Sequence, residues 1–195
     1  MNNMKKGLLI ILSGPSGVGK GTVRRQIMKD NNFDMTYSVS MTTRLPRDKE
    51  VDGVDYYFVT REEFQKQIEE NNFLEYAEFV GNYYGTPKDK VEALRNQGKN
   101  VFLEIEIKGA TQVLSKEKDE GVISFFLMPP SFDALEARIR KRKSESEEVI
   151  QERLEKGRKE MTMTQNYDYV INNDQVVRAA REITDIILKK IDSLK

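Results

Sequence analysis

Ser13-Gly14-Pro15-Ser16-Gly17-Val18-Gly19-Lys20-Gly21-Thr22 follows the apolar run Leu8-Leu9-Ile10-Ile11-Leu12 and precedes a stretch, Thr22 to Asp30, whose pattern predicts a helix. Strand, glycine-rich turn and helix in that order are the setting of a phosphate-binding loop. Glycines let the backbone curl so that successive N–H groups face an anion. The helix start adds unpaired N–H groups and the positive end of its dipole. Lys20 can then meet terminal phosphates as a point charge. The common pattern puts Ser or Thr directly after this lysine, where its hydroxyl meets magnesium. Here Gly21 holds that place and Thr22 comes one residue later.

Composition narrows the chemistry. The chain has 195 residues, enough for one domain with inserted lobes. Charged residues make up 33%, yet apolar periodicity persists, which argues for a globular protein with a highly charged surface. Lys and Arg number 32 against 32 Asp and Glu, so no overall field recruits nucleic acid or membrane, and electrostatic work is local. Cysteine is absent, which excludes thiol nucleophiles, disulfides and zinc-thiolate sites. Histidine is absent too, so acid–base and metal roles fall to other groups. The apolar run after Lys5 and Lys6 is too short for a signal-peptide core or a membrane span. A soluble cytoplasmic protein is the expectation.

Beyond the first helix, Phe33 to Thr43 reads as one extended stretch, and Thr43-Arg44-Leu45-Pro46-Arg47-Asp48 as a loop. Asp55 to Val59 is strand-like. Thr60-Arg61-Glu62-Glu63 is a capping box that opens a helix carrying Phe64 and Ile68. Phe73 to Val80 alternates as a strand, and Thr86-Pro87 reads as an N-cap with proline at the first helical position. Residues from about 39 to 86 thus form a small antiparallel lobe with one helix. Core strands are expected at Asn100 to Ile105, Val122 to Leu127 and Tyr167 to Ile171, with helices at Gly109 to Lys116, Ser131 to Arg142, Glu147 to Met163 and Val176 to Ile191. Strands alternating with helices imply an α/β fold with parallel pairing and helices on both faces.

These residues resemble the guanylate kinase family over nearly the whole chain. The resemblance rests on Gly14-Pro15-Ser16-Gly17-Val18-Gly19-Lys20, on Ser38-Val39-Ser40-Met41-Thr42-Thr43-Arg44-Leu45-Pro46-Arg47, on Gly53-Val54-Asp55-Tyr56-Tyr57-Phe58 and on Gly81-Asn82-Tyr83-Tyr84-Gly85-Thr86. The loop alone is shared with many nucleotide enzymes; the later pieces in this order are far more specific. The resemblance implies a P-loop three-layer doubly wound parallel sheet with an inserted antiparallel GMP-binding lobe and a helical lid. It divides the chain into a core (1–38, 87–130 and 156–195), a GMP lobe (39–86) and a lid (131–155). It implies transfer of the γ-phosphoryl group of ATP to GMP, and to dGMP, with Mg2+ bound alongside ATP. ATP and GMP are then the partners, with no nucleic acid and no membrane.

The chemistry can be assigned residue by residue. ATP would lie on Gly14 to Thr22, with Asn172 at the strand-end turn beside the adenine, as the resemblance implies. A nucleotide phosphate calls for planar arginine forks, and Arg44 and Arg47 are the candidates. The resemblance adds the hydroxyls of Tyr56 and Tyr84. Guanine presents two adjacent donors, N1–H and the 2-amino group, which one carboxylate accepts together, whereas adenine has an acceptor at N1. A site of that kind rejects the wrong base by roughly 10⁴-fold. The resemblance places Glu75 on this edge, with Ser40, Thr86 and Glu104 completing the pocket. Glu104 and Glu106, two apart on one expected strand, point to the same side. Glu104 would face guanine and Glu106 the phosphates and magnesium, through water.

Arg138 and Arg142 match the family's lid arginines, and Arg153 one on the helix that follows. Such arginines can contribute roughly 10³ to 10⁵ in rate. With Lys20 and Arg44 they make up the expected catalytic set. Besides Gly21, which departs from the common loop pattern, the sequence departs from the family at Glu106 where aspartate is common, at Lys108 where glutamine is frequent, and at Lys141 and Lys143 where glycines often flank Arg142. Two other readings stand beside this one: a kinase-like interaction module without catalysis, and a nucleoside monophosphate kinase with another base preference.

Overall fold

A computed structural model describes residues 5–29, 33–79, 81–141 and 146–194. At its centre lies β1 (Leu9–Ser13), every residue buried. It is flanked by β7 (Asn100–Glu104) and β8 (Val122–Met128), both parallel to it. With β2 (Met35–Tyr37) and β9 (Tyr169–Asn172) they make a five-stranded parallel sheet of order β2-β7-β1-β8-β9. A strand walled in on both sides and both faces must be apolar throughout, which is why 8–12 is a continuous aliphatic run rather than an alternating one.

The two faces of β1 go to two separate cores. Leu8, Ile10 and Leu12 pack against α1 (Lys20–Lys29) and α7 (Val176–Ser193), through Val23, Ile27, Ala179, Ile183 and Ile187. Leu9 and Ile11 pack against α3 (Lys88–Asn96) and α4 (Ile107–Lys116), through Val91, Ala110 and Val113. Each such aliphatic side chain removed from water contributes about 1.5 to 3 kcal/mol. The loop that leaves β1 is thereby anchored at a strand packed on both faces. A third, smaller core joins α5 (Phe132–Arg140) to α6 (Glu147–Glu160) through Leu135, Ile139, Ile150 and Leu154. Helix α6 runs without a break through positions 155 and 156. Among the described residues no helix is long and apolar enough to cross a membrane.

A second sheet holds β3 (Met41–Thr42), β4 (Tyr57–Phe58), β5 (Phe73–Phe79) and β6 (Asn82–Pro87) in the order β4-β3-β6-β5. β5–β6 and β3–β6 are antiparallel, as expected of the lobe, while β3 and β4 run parallel. Helix α2 (Arg61–Glu69) opens with the Thr60 and Glu63 capping box and lays Phe64 on Phe73, Tyr76 and Tyr83. The lobe is stitched to the core along part of β5. Gln112 of α4 accepts from the Tyr76 N–H and donates to its carbonyl, and Lys116 donates to the Leu74 carbonyl.

Four local expectations are corrected. The stretch 33–43 is not one strand. Its first part joins the core sheet as β2, with the Ser38 N–H still bonded to Phe102, and its last part joins the second sheet as β3. Helix α1 starts at Lys20 rather than Thr22, because the Gly19 carbonyl already accepts from Thr22 and Val23. Thr86 is not the cap of α3. Its hydroxyl turns inward to a buried acceptor, Pro87 takes the cap position without a side-chain bond, and Asn72 receives the first two helical N–H groups. Glu106 lies past the end of β7 as the N-cap of α4, so it does not alternate with Glu104 along a strand.

Candidate active site

The loop from Gly14 to Gly19 leaves the carboxyl end of the central strand, where open α/β sheets place their ligands. Gly17 (φ +86°) and Gly19 (φ +101°) adopt left-handed conformations that a side chain resists. The early start of α1 leaves the N–H groups of Lys20 and Gly21 in its first turn, without carbonyl partners inside the helix. Lys20 folds back over the loop and donates to the carbonyls of Gly14 (2.7 Å) and Pro15 (3.3 Å). Burial pushes its pKa down, while Glu106, Glu104 and Glu160 push it up. Thr22 is exposed and its hydroxyl accepts from Arg25 at 3.2 Å.

Helix α6 presents Arg153, Lys156 and Glu160 as one stripe to this loop. Arg153 donates to the Ser16 hydroxyl (3.1 Å), and Glu160 accepts from the Ser16 backbone N–H (3.2 Å). Lys156 bridges Glu160 (3.4 Å) and Glu106 (3.0 Å). Burial alone would raise the Glu106 pKa, but Lys20, Lys156 and Arg153 hold it below the usual carboxylate range. Arg138 of α5 donates to the carbonyls of Val18 (3.0 Å) and Asn173 (2.7 Å). Asn173, buried, sends its side-chain amide to the Val18 carbonyl as well (2.8 Å). The expected neighbour Asn172 is exposed and meets Arg178 through its backbone carbonyl, so the side chain that reaches the loop is Asn173. Arg142 and Lys143 lie outside the described residues.

The second half of the site is built from side chains. Glu75 is 8% exposed and accepts from the Thr86 hydroxyl at 2.6 Å. Burial raises its pKa, with Thr86 and Lys116 opposing. Gly109 makes room for it: a Cβ there would stand 2.6 Å from Glu75 Oε2. Arg44 pairs with Glu50, lies near the rings of Tyr56 and Phe58, and is also stabilised by the Tyr84 hydroxyl. Tyr56 and Tyr84 meet edge to face. Arg47 is exposed on the same loop and holds Glu50 through its backbone N–H. Ser40 lies on the crossing between the sheets, its carbonyl accepting from Tyr57.

Glu104 closes β7 on the core side of the site. It accepts from Arg24 Nε at 2.7 Å, and Arg24 in turn sits over the Tyr37 ring at 4.2 Å. The Tyr37 pKa is raised, first by burial, then by Glu104, with Tyr56 adding to it. The site at position 21 is close to the same carboxylate: a Cβ there would lie 3.3 Å from Glu104 Oε1. That crowding gives a physical reason for glycine where Ser or Thr is common.

The sequence reading missed Arg24, Glu50, Gly109, Lys156, Glu160 and Asn173. For two of these a signal existed: Lys156 and Glu160 fall three and seven residues after Arg153, on one helical face. Glu50, Arg24 and Gly109 carry no such mark, because their partners are set by tertiary packing.

Comparisons with known proteins point to one family. Residues 6–190 match the family model for guanylate kinase. A guanylate kinase of Mesoplasma florum is 53% identical over 185 residues, 95% of this chain and 62% of that protein. One of Bacillus cereus is 53% identical over 184 residues, 94% of this chain and 89% of that protein. The chain thus spans about three fifths of the Mesoplasma relative's length and nine tenths of the Bacillus one. The crystal structure of a guanylate kinase from Anaplasma phagocytophilum superposes with a TM-score of 0.73 at 33% identity, covering 95% of this chain and 87% of that one.

Proposed function

The chain belongs to the guanylate kinase family, and from that premise we propose that it transfers the γ-phosphoryl group of ATP to GMP, with dGMP as a second acceptor, releasing ADP and GDP. The observation that carries this reading is the presence of two cationic sites on one chain: the glycine loop with Lys20 at the end of β1, and Arg44 held by Glu50 beside Tyr56 in the second sheet. Two phosphate-bearing ligands facing one another are what a transfer between nucleotides requires.

In this reading the loop amides and Lys20 hold the β- and γ-phosphates of ATP, with the adenine at the β9–α7 turn. Arg44, Arg47, Tyr56 and Tyr84 hold the GMP phosphate. Glu75 reads N1–H and the 2-amino group of guanine, with Thr86, Ser40 and Glu104 around it. An oxygen of the GMP phosphate attacks Pγ while the bond to the β,γ-bridging oxygen breaks, and the electron pair leaves with ADP. The reaction is dominated by positioning and charge, so the absence of histidine is no obstacle. Arg153, Arg138 and, outside the described residues, Arg142 supply positive charge from the lid. The division into core, GMP lobe and lid follows the boundaries given above.

Glu106, ionised beside Lys20, fits Mg2+ held chiefly by the phosphates of ATP and by water, since such an ion takes one or two carboxylates rather than a protein cage. Among the described residues no cluster of three acidic side chains forms such a cage. Magnesium bound with ATP supplies charge neutralisation on the transferred group. ATP and GMP are cytoplasmic metabolites, and the cytoplasm is the compartment proposed for the protein.

A coupled ADP-release assay across GMP, dGMP, AMP, CMP, UMP and dTMP tests the proposal. Turnover with GMP and dGMP alone is the expected result. Silence with every acceptor would leave a binding module, and faster turnover of AMP would overturn the base assignment.

A further inference from the structure

Arg44 carries its N–H donors on two forks: an end fork made by Nη1 and Nη2, and a side fork made by Nε and Nη2. Glu50 takes the end fork, with Nη1 donating to Oε2 at 3.0 Å and Nη2 to Oε1 at 2.9 Å. The second hydrogen of Nη1 goes to the Leu45 carbonyl at 2.8 Å. The same Oε2 accepts the backbone N–H of Arg47 at 2.7 Å. One carboxylate therefore fixes the first arginine's plane and the turn that carries the second. Both partners are mostly withdrawn from water, with side chains 16% and 19% exposed, so solvent screens this pair less than a rim pair. Two aromatic rings flank the guanidinium, Tyr56 at 5.5 Å and Phe58 at 5.8 Å.

Neither Glu50 nor Leu45 takes the side fork; the Tyr84 hydroxyl, itself assigned to the same phosphate, is the other group beside this guanidinium. The two parallel N–H groups of that fork match two oxygens of a phosphate. We infer that Glu50 is a positioning residue: by occupying the end fork of Arg44 and tying down the Arg47 turn, it turns the Arg44 side fork toward the phosphate of the acceptor nucleotide. This rests on the assignment of Arg44 to the GMP phosphate. The carboxylate does not compete with that phosphate, because the two acceptors use different edges of one guanidinium. A flexible arginine would have to be ordered at the moment of binding; here the ordering is complete beforehand.

The test uses the full chain as Glu50→Gln and Glu50→Ala, with steady-state kinetics and calorimetric titration of GMP and of guanosine, which lacks the phosphate. The expected result is a rise of about tenfold in KM and Kd for GMP, the loss typical of a hydrogen bond to a charged group. The KM for ATP and the affinity for guanosine should stay within about twofold of the parent. Combined with Arg44→Lys, Glu50→Gln should add clearly less loss than it causes alone, since only its hold on the Arg47 turn remains. Equal losses for GMP and guanosine would mean that Glu50 only supports the lobe. Tighter GMP binding would mean that it competes with the phosphate. Unchanged GMP binding would also overturn the inference. If the parent itself does not phosphorylate GMP, the functional proposal fails; if it does and one of these results appears, only the inference fails.

Discussion

The two proposed anion sites are built from different materials. Around Lys20 the donors on offer are backbone N–H groups, held by a turn at the end of a strand buried on all sides. Around Arg44 they are side chains, on a sheet whose strands β3 and β4 are two residues long and only partly buried. A backbone site needs glycines and a rigid scaffold, and little else. A side-chain site needs a partner for every group: Glu50 for Arg44, Thr86 for Glu75, Arg24 for Glu104. The first kind is robust to changes around it, whereas the second is tunable and fragile.

Four experiments would break or sharpen that contrast. The largest effect is expected at Lys20, the cation folded over the backbone site. Lys20→Ala should lower kcat by roughly 10³-fold or more while the thermal melt stays unchanged. Retention of full turnover would remove the loop from the mechanism. Next comes Arg95, fully buried at the opposite end of the core sheet, where it donates to the Gly7 carbonyl and pairs with Asp119. Arg95→Leu should cost about 2 kcal/mol in urea unfolding, because the Gly7 carbonyl loses its buried donor, while Asp119 stays partly in water. It should leave both KM values near the parent's; a selective loss of one substrate would show that scaffold and site are not separate.

Gly109→Ala acts on the side-chain site alone. The added methyl meets the Glu75 carboxylate and should push it off Thr86, raising KM for GMP by about tenfold with KM for ATP unchanged. Equal effects on both nucleotides would contradict the division of the site. The smallest effect is a pH dependence. Burial raises the Glu75 pKa above its unfolded value, so its protonated form favours the fold. That contribution is complete below the unfolded pKa and is lost as pH rises through the folded one. Glu75→Gln should therefore be somewhat more stable than the parent at neutral pH, and the difference should vanish in acid. In the parent, KM for GMP should climb as pH falls toward the ordinary glutamate range, ahead of any change for ATP. Parallel titration of both constants would count against Glu75 as the base reader.

The same contrast explains what could be read in the sequence. The loop is legible because glycine and lysine at that spacing leave few other conformations, and the core because strand 8–12 is aliphatic throughout. Arg44, Tyr56, Glu75 and Tyr84 could be named from the family resemblance, but not what holds them. Glu75 and Gly109 are far apart in sequence and meet only because β5 packs on α4. The expected helix cap at Thr86 failed for the same reason, since a buried carboxylate outcompeted the local backbone as its hydrogen-bond partner. Glu106 was misplaced because a strand's alternation was extended past its last residue.

Strand β5 has one further property. Its first three residues are buried and its last two exposed, and its bonds to α4 end at Tyr76. Mechanically its root is tied to the core by α4, whereas its tip is held only within the lobe, by β6 and by the Arg61–Glu78 pair. Glu75 sits at the root, while Arg44 follows Thr42, which lies across β6 from Ala77, just beyond the last stitch. At about 3.3 Å per residue, a tilt of about 10° at the root moves the tip by about 4 Å over the strand's length. Bending there would change the span between Glu75 and Arg44, the residues proposed to read the base and to hold the phosphate. On the proposed function, the lobe would then act as a caliper set to the length of a nucleoside monophosphate.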